Sequence, residues 1–161
     1  MIRDHLSTWA ARSAAETREA FVAAHPGPFL VWEPGPWLPR GAGDTARPPP
    51  GTSFVSLAQM AEKAIVIPLA PEKTRLVLGR APECELPIND GSLSRKHLAL
   101  VLGPGQPTVE ELHSSNGSSL DGRRLEPGQP QPLVSGAQLQ AGSVYLTFLD
   151  AAGLFDRLRA R

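Results

Sequence analysis

The 161-residue chain has a single cysteine, Cys84. One thiol forms no internal disulfide, and no Cys/His spacing of a zinc site accompanies it, so the sequence predicts a reducing compartment and neither metal nor cofactor. No charge of one sign prevails, because 16 Lys+Arg balance 16 Asp+Glu. With no global field there is nothing to hold a nucleic acid or an anionic membrane through counterion release, and any anion site must be local. No run approaches the ~18 apolar residues that span a bilayer, and the N-terminus begins with charges at Arg3 and Asp4 and lacks the continuous apolar core of a signal peptide. These absences predict a soluble, cytoplasmic protein without nucleic-acid or membrane partners. Proline and glycine, by contrast, are abundant. The 17 Pro and 15 Gly are about a fifth of the chain, against roughly 12% in average usage, so much of it must turn. A hydrophobic content of 41% suits one globular domain with an appendage.

Between residues 2 and 24, Ile2, Leu6, Trp9, Phe21 and Ala24 recur mostly at three- and four-residue steps, the pattern of an amphipathic helix over residues 1–25 that His25-Pro26-Gly27 stops. From Pro26 to Gly51 half of the residues are Pro or Gly, which predicts a linker over 26–53 in which neither a helix nor a central strand persists. Arg47-Pro48-Pro49-Pro50 reads as extended. Phe29-Leu30-Val31-Trp32 and Trp37 are costly to leave in water, at ~1.5 to 3 kcal/mol for a fully buried side chain, and are expected to dock on something.

From 54 to 161 the reading is one β-domain with its core at 63–150. About ten short β-favouring runs, from Ala64–Ala70 to Ser143–Asp150, are separated by turn residues every eight to twelve positions, as in an antiparallel sandwich. Asp121-Gly122 supplies the positive φ values of a tight hairpin. A short helix over 152–160 follows, with Leu154, Phe155 and Leu158 on one side. The fold expected is therefore an all-β antiparallel sandwich of about 11 strands with a helix at each end.

Its polar residues fall on loops, where a rigid sandwich carries function. Gly79-Arg80 ends a strand, Ser94-Arg95-Lys96-His97 precedes one, and Ser114-Ser115-Asn116-Gly117 lies between two more. With Leu86-x-Ile88, Val109-x-x-Leu112, Leu120-x-Gly122, Leu133-x-x-Gly136 and Val144-x-Leu146-x-Phe148, the order and spacing resemble the forkhead-associated (FHA) domain over roughly Lys63 to Asp150. The resemblance implies a non-enzymatic, phosphothreonine-binding adaptor for the product of a Ser/Thr kinase. It implies that Arg80 binds phosphate, that Ser94 donates a hydroxyl, and that Arg95 adds charge or a main-chain contact. Ser115 would offer a loop donor, and Asn116 would clamp the peptide backbone. Gly79, Gly117 and His97 would support the loops, His97 by internal hydrogen bonds. Two departures from the family pattern are Glu110-Glu111 and Asp121, where Asp and Asn are usual.

Physical chemistry alone is coherent with this. A phosphate carries about −1.5 to −2 charge and three strong acceptors, and needs donors converging from different loops. Arg75, Arg80, Arg95, Lys96, Arg123 and Arg124 would give a small positive patch. A lone Arg80 would more often pair with Glu85 or Asp90. A Ser94/His97 hydrolase pair oriented by Asp90 lacks a Gly-x-Ser-x-Gly elbow. His5, His25, His97 and His113 do not cluster in sequence, and Cys84 reads as a passive residue at a strand edge. The alternative function is a phosphate-independent assembly subunit that docks through its aromatic N-terminal segment. Oligomeric state is not legible.

Overall fold

In the computed structural model, residues 3–35, 63–70 and 72–160 are described. Expectations for Ile2, Trp37, Arg47–Pro50 and a boundary near Phe54 lie outside them. The elements in chain order are β1 (Asp4–His5), α1 (Leu6–Arg12), α2 (Arg18–Ala24), β2 (Phe29–Glu33), β3 (Ile65–Pro68), β4 (Arg75–Gly79), β5 (Leu86–Pro87) and β6 (Leu98–Val101). They continue with β7 (Thr108–Glu111), β8 (Ser118–Leu120), β9 (Arg123–Arg124), β10 (Gln131–Pro132), β11 (Ala137–Ala141), β12 (Val144–Leu149) and α3 (Ala151–Arg159).

Two sheets face each other, ordered β1-β3-β2-β12-β11-β8-β9 and β10-β7-β6-β4-β5. Every pairing is antiparallel except β4 with β5, which are parallel where the chain crosses from Gly79 to Leu86. Strict alternation builds the interface. In β4, Leu76 and Leu78 are buried while Arg75 is exposed, and in β11 Ala137, Leu139 and Ala141 point inward between half-buried glutamines. The core between the sheets joins these residues to Leu98, Leu100, Val109, Leu146 and Phe148.

The first correction concerns the expected linker. Residues 29–33 are not a tether but a central strand, paired with β3 on one side and β12 on the other. Leu30 enters the inter-sheet core, whereas Phe29 and Val31 face the opposite way into a second core formed under the helices. A strand covered on both faces reads as a near-continuous apolar run, here Phe29–Trp32, and its boundary prolines, Pro28 and Pro34, sit just outside the paired residues. The composition of the whole Pro-rich stretch hid a five-residue strand.

The second correction is that the N-terminal helix is two helices. α1 ends at Arg12, and the chain turns through Ser13–Ala15 before Thr17 starts α2, its hydroxyl accepting from the Ala20 N–H at 3.2 Å. The break lets Trp9 and Phe21 reach the same apolar patch, where they meet Phe29 and Phe155 edge-on or tilted at 5.5 to 6.3 Å. α3 begins at Ala151, one residue earlier than expected, because Asp150 caps it by accepting from the Gly153 N–H at 2.7 Å. Glu33, 7% exposed, ties this layer down by accepting from Thr147 on β12 and pairing with Arg157 of α3 at 3.0 Å each.

Candidate functional site

The ends of β4 and β7 and the starts of β6, β8 and β12 lie at one end of the sandwich. Gly79 brings the first two loops together. A Cβ built there would collide with the Arg95 carbonyl, and the neighbouring main chain locks the approach: Arg80 N–H donates to Ser94 O at 2.9 Å and Ala81 N–H to Arg95 O at 3.1 Å. The Cys84 thiol donates to the same Arg95 carbonyl at 3.1 Å. Its burial, with Glu83 and Glu85 nearby, pushes the thiol pKa up, so it stays a protonated buttress.

His97 joins the second loop to the third. It is fully buried, its Nδ1 accepts the Ser94 N–H at 3.0 Å, and its Nε2 lies 2.9 Å from Gly117 O. Because Nδ1 is an acceptor, the proton sits on Nε2 and is donated to the Gly117 carbonyl. Neither ring nitrogen is left to take a proton from the Ser94 hydroxyl, so the hydrolase pairing is not formed. Ser94 Oγ instead accepts the Ser115 N–H at 3.0 Å.

Glu111 organises the third loop from beneath. It is 2% exposed, and its carboxylate accepts from the Ser114 N–H at 3.1 Å, from the Ser114 hydroxyl, and from the Ser118 hydroxyl at 3.5 Å. The departure to glutamate at this position therefore serves the loop from inside. Gly117 adopts a φ of +75°, available to glycine without strain.

A fourth loop, not anticipated from sequence, completes the rim. Asp90 accepts from the Ser92 N–H at 2.9 Å and its hydroxyl at 2.6 Å, which holds the Asp90 pKa below the usual carboxylate range. Ser92 Oγ in turn meets the Ser143 N–H and hydroxyl at 2.8 Å, while Ser92 O accepts from Asn116 Nδ2 at 2.8 Å. The signal was present in Asn89-Asp90-Gly91-Ser92, a sequence in which Asp bonds the backbone two residues on.

Arg80, Ser94, Ser115 and Asn116 thus come to one rim. Arg80 is exposed, and its Nε donates to Leu93 O at 3.2 Å. The expected ion pairs do not form: Glu85 accepts the Val77 N–H at 2.9 Å, and Asp90 is engaged with Ser92. Among the described residues the Arg80 guanidinium has no carboxylate partner, and it borders a hollow of about 120 Å³ with Ala81, Pro82 and Arg95. The positive patch is smaller than expected. Arg75 pairs with Glu110 at 3.2 Å and Arg95 with Glu83 at 3.1 Å. No group of three or more His, Cys, Asp or Glu among the described residues can hold a metal ion, and no helix among them is long and apolar enough to cross a membrane.

A family model described as the FHA domain matches residues 76–142, the span holding every loop above. Over that segment the chain is similar to the FHA domain. Solved FHA domains share its fold. That of an Arabidopsis thaliana hypothetical protein is 21% identical, with a TM-score of 0.55 over 78% of this chain and 86% of its own. That of CT664 from Chlamydia trachomatis is 19% identical, with a TM-score of 0.53 over 77% of this chain and 98% of its own. These likenesses reach well outside residues 76–142 and so include the flanking strands. No curated protein matches the chain at a significant level.

Proposed function

We propose that the rim binds phosphothreonine peptides and that the protein acts as an adaptor recruiting phosphorylated partners, without catalysis. The observation that carries this is the state of Arg80. Its Nε is anchored on Leu93 O, which leaves both terminal nitrogens of an exposed guanidinium without a carboxylate among the described residues. A planar fork held in that way suits two phosphate oxygens, through charge-assisted bonds about twice as strong as neutral ones. Ser94 Oγ already accepts from Ser115, so its own proton is free to donate to a third oxygen. Ser115 has spent its N–H on Ser94 and offers its hydroxyl. Asn116 keeps its Oδ1 and one Nδ2 proton, a donor and acceptor pair matching one peptide unit of a bound strand. Arg95 contributes less charge than its position suggests, because Glu83 shares it.

The alternative role, phosphate-independent assembly through the aromatic N-terminal segment, has less support. Trp9, Phe21 and Phe29 spend their apolar surface on the protein's own sheet.

Calorimetric titration with matched phosphorylated and unphosphorylated threonine peptides tests the reading. Wild type should bind the phosphopeptide at about micromolar Kd, or ~−8 kcal/mol, and the plain peptide at least a hundredfold more weakly. Arg80→Ala should lose the phosphopeptide by a similar factor while its melting temperature stays within about 2 °C, as for other exposed substitutions. Equal affinity of wild type for both peptides overturns the proposal.

A further inference from the structure

The rim carries a second cation, placed differently from Arg80. β8 and β9 form a hairpin through Asp121 and Gly122, whose φ values of 50° and 83° are those of a tight turn, and Ser119 pairs with Arg124 across it. This returns Arg124 to the Asn116–Gly117 loop. A Cβ built on Gly117 would lie 2.6 Å from Arg124 Nη2 and 2.9 Å from its Cζ, so the guanidinium lies against the residue that follows Asn116, in space a side chain would fill.

Arg124 is exposed and has no ion-pair partner among the described residues. Asp121 in the turn accepts the Gln138 N–H at 2.9 Å and Glu111 is buried beneath Ser114 and Ser118, and neither they nor Glu126, two residues on, form an ion pair with Arg124. On the other flank of the rim, Glu83 occupies Arg95. Besides Arg80, which the phosphate would take, the rim therefore has an unpaired guanidinium beyond Asn116, while Arg95 on the other flank is paired.

We propose that Arg124 is a specificity subsite for an anionic side chain of the bound peptide, within about three residues of the phosphothreonine. This rests on the phosphopeptide reading above. The separation follows from chain geometry. Ser115 N lies 3.0 Å from Ser94 Oγ, and two residues further on, at most about 7 Å along the chain, is Gly117. An extended ligand advancing ~3.3 Å per residue covers that in two to three positions. The shared chemistry is negative charge, from a carboxylate or from a second phosphate.

The test uses the full chain and phosphothreonine peptides with alanine flanks, bearing one Glu in turn at each of the three positions on either side. A second series carries phosphoserine in place of Glu. In wild type, one position should bind about three- to fivefold tighter with Glu than with Ala, the size of a partly exposed charge pair, and the ratio should shrink in high salt. Arg124→Ala should bring that ratio to one and Arg124→Glu should invert it, whereas Arg124→Lys should keep part of it by retaining the charge without the fork. A phosphoserine gain well above the Glu gain assigns the natural ligand to doubly phosphorylated segments, and equal gains assign it to acidic ones. The subsite is overturned if Arg124→Ala leaves the Glu-to-Ala ratio at its wild-type value. If wild type fails to separate phosphorylated from plain threonine, the phosphopeptide reading itself falls and takes the subsite with it.

Discussion

At one end of the sandwich, four loops are tied to one another by side-chain and main-chain hydrogen bonds through Ser92, Ser94, Glu111, Asn116 and His97. At the other end, Val22, Pro28, Pro107, Val134 and Ala152 line an apolar groove of about 610 Å³. Val22 and Val134, the large hydrophobic side chains most exposed among the described residues, both sit there. Both ends close the same two sheets, the apolar one with Val22 of α2 and Ala152 of α3, yet only the polar rim has four loops tied to one another through the buried His97 and Glu111 before any ligand arrives. Fixing a polar rim in advance removes ordering cost from binding, and it does so by making the loops interdependent. The apolar end is tied more sparsely, by Gln106 donating to the Leu133 carbonyl and by Ser135 bonding Asp150, and the apolar side chains that line it take no part in those bonds and can be changed singly.

That contrast is most easily broken at His97. Replacement by alanine strands the Ser94 N–H and the Gly117 carbonyl away from water and leaves a cavity where a fully buried ring had been. Each stranded group costs about 1 to 3 kcal/mol, so His97→Ala should lower stability by about 3 kcal/mol or more in urea denaturation and abolish phosphopeptide binding. Val134→Ser at the apolar end should change both by no more than about 0.5 kcal/mol. If His97→Ala binds within twofold of wild type, the network does not position the rim.

A smaller effect sharpens the comparison from beneath. Leu30 on β2 is fully buried in the core both ends share, so Leu30→Ala should cost about 2 to 5 kcal/mol while folded protein still binds phosphopeptide with wild-type affinity. The same residue marks the limit of what was legible in the sequence. Each of the ten expected runs from Ala64 onward overlaps one of the strands β3 to β12, because in most of them one face meets the core and turn residues mark the ends, while the fully exposed β9 and β10 are marked by their turns alone. β2 was missed because a strand buried on both faces has no alternation to read, and prolines on either side made the region look like linker. The N-terminal periodicity was real but its break was not visible, since a Thr17 cap is one residue among many polar ones.

The site was legible in kind and incomplete in its supports. Arg80, Ser94, Ser115 and Asn116 fall at loop ends that a motif can mark. The partners that hold them, among them the Leu93 and Ser92 carbonyls and the Cys84 thiol, are contacts between main chain and side chain that carry no residue-type signature. Likewise Arg95 and Arg75 count as positive charge in sequence but are paired in space.

The weakest strut of the rim gives the smallest effect. The Ser92 carbonyl accepts from Asn116 while its hydroxyl bonds Asp90 and Ser143, so Ser92→Ala, which removes only the hydroxyl bonds that fix that carbonyl in place, should weaken phosphopeptide binding about tenfold with at most about 1 kcal/mol lost from stability. Asp90 adds a pH signature. Its two bonds from Ser92 favour the ionised carboxylate and depress its folded pKa, so its contribution to stability is complete above the unfolded value of about 3.9 and disappears as pH falls through the lower folded value. Asp90→Asn carries no such titration, and every other carboxylate is common to both proteins. The stability gap between wild type and variant should therefore be constant from about pH 7 to pH 5 and close below about pH 4. A gap that stays level to about pH 2 would mean that shape, and not charge, makes Asp90 hold the turn.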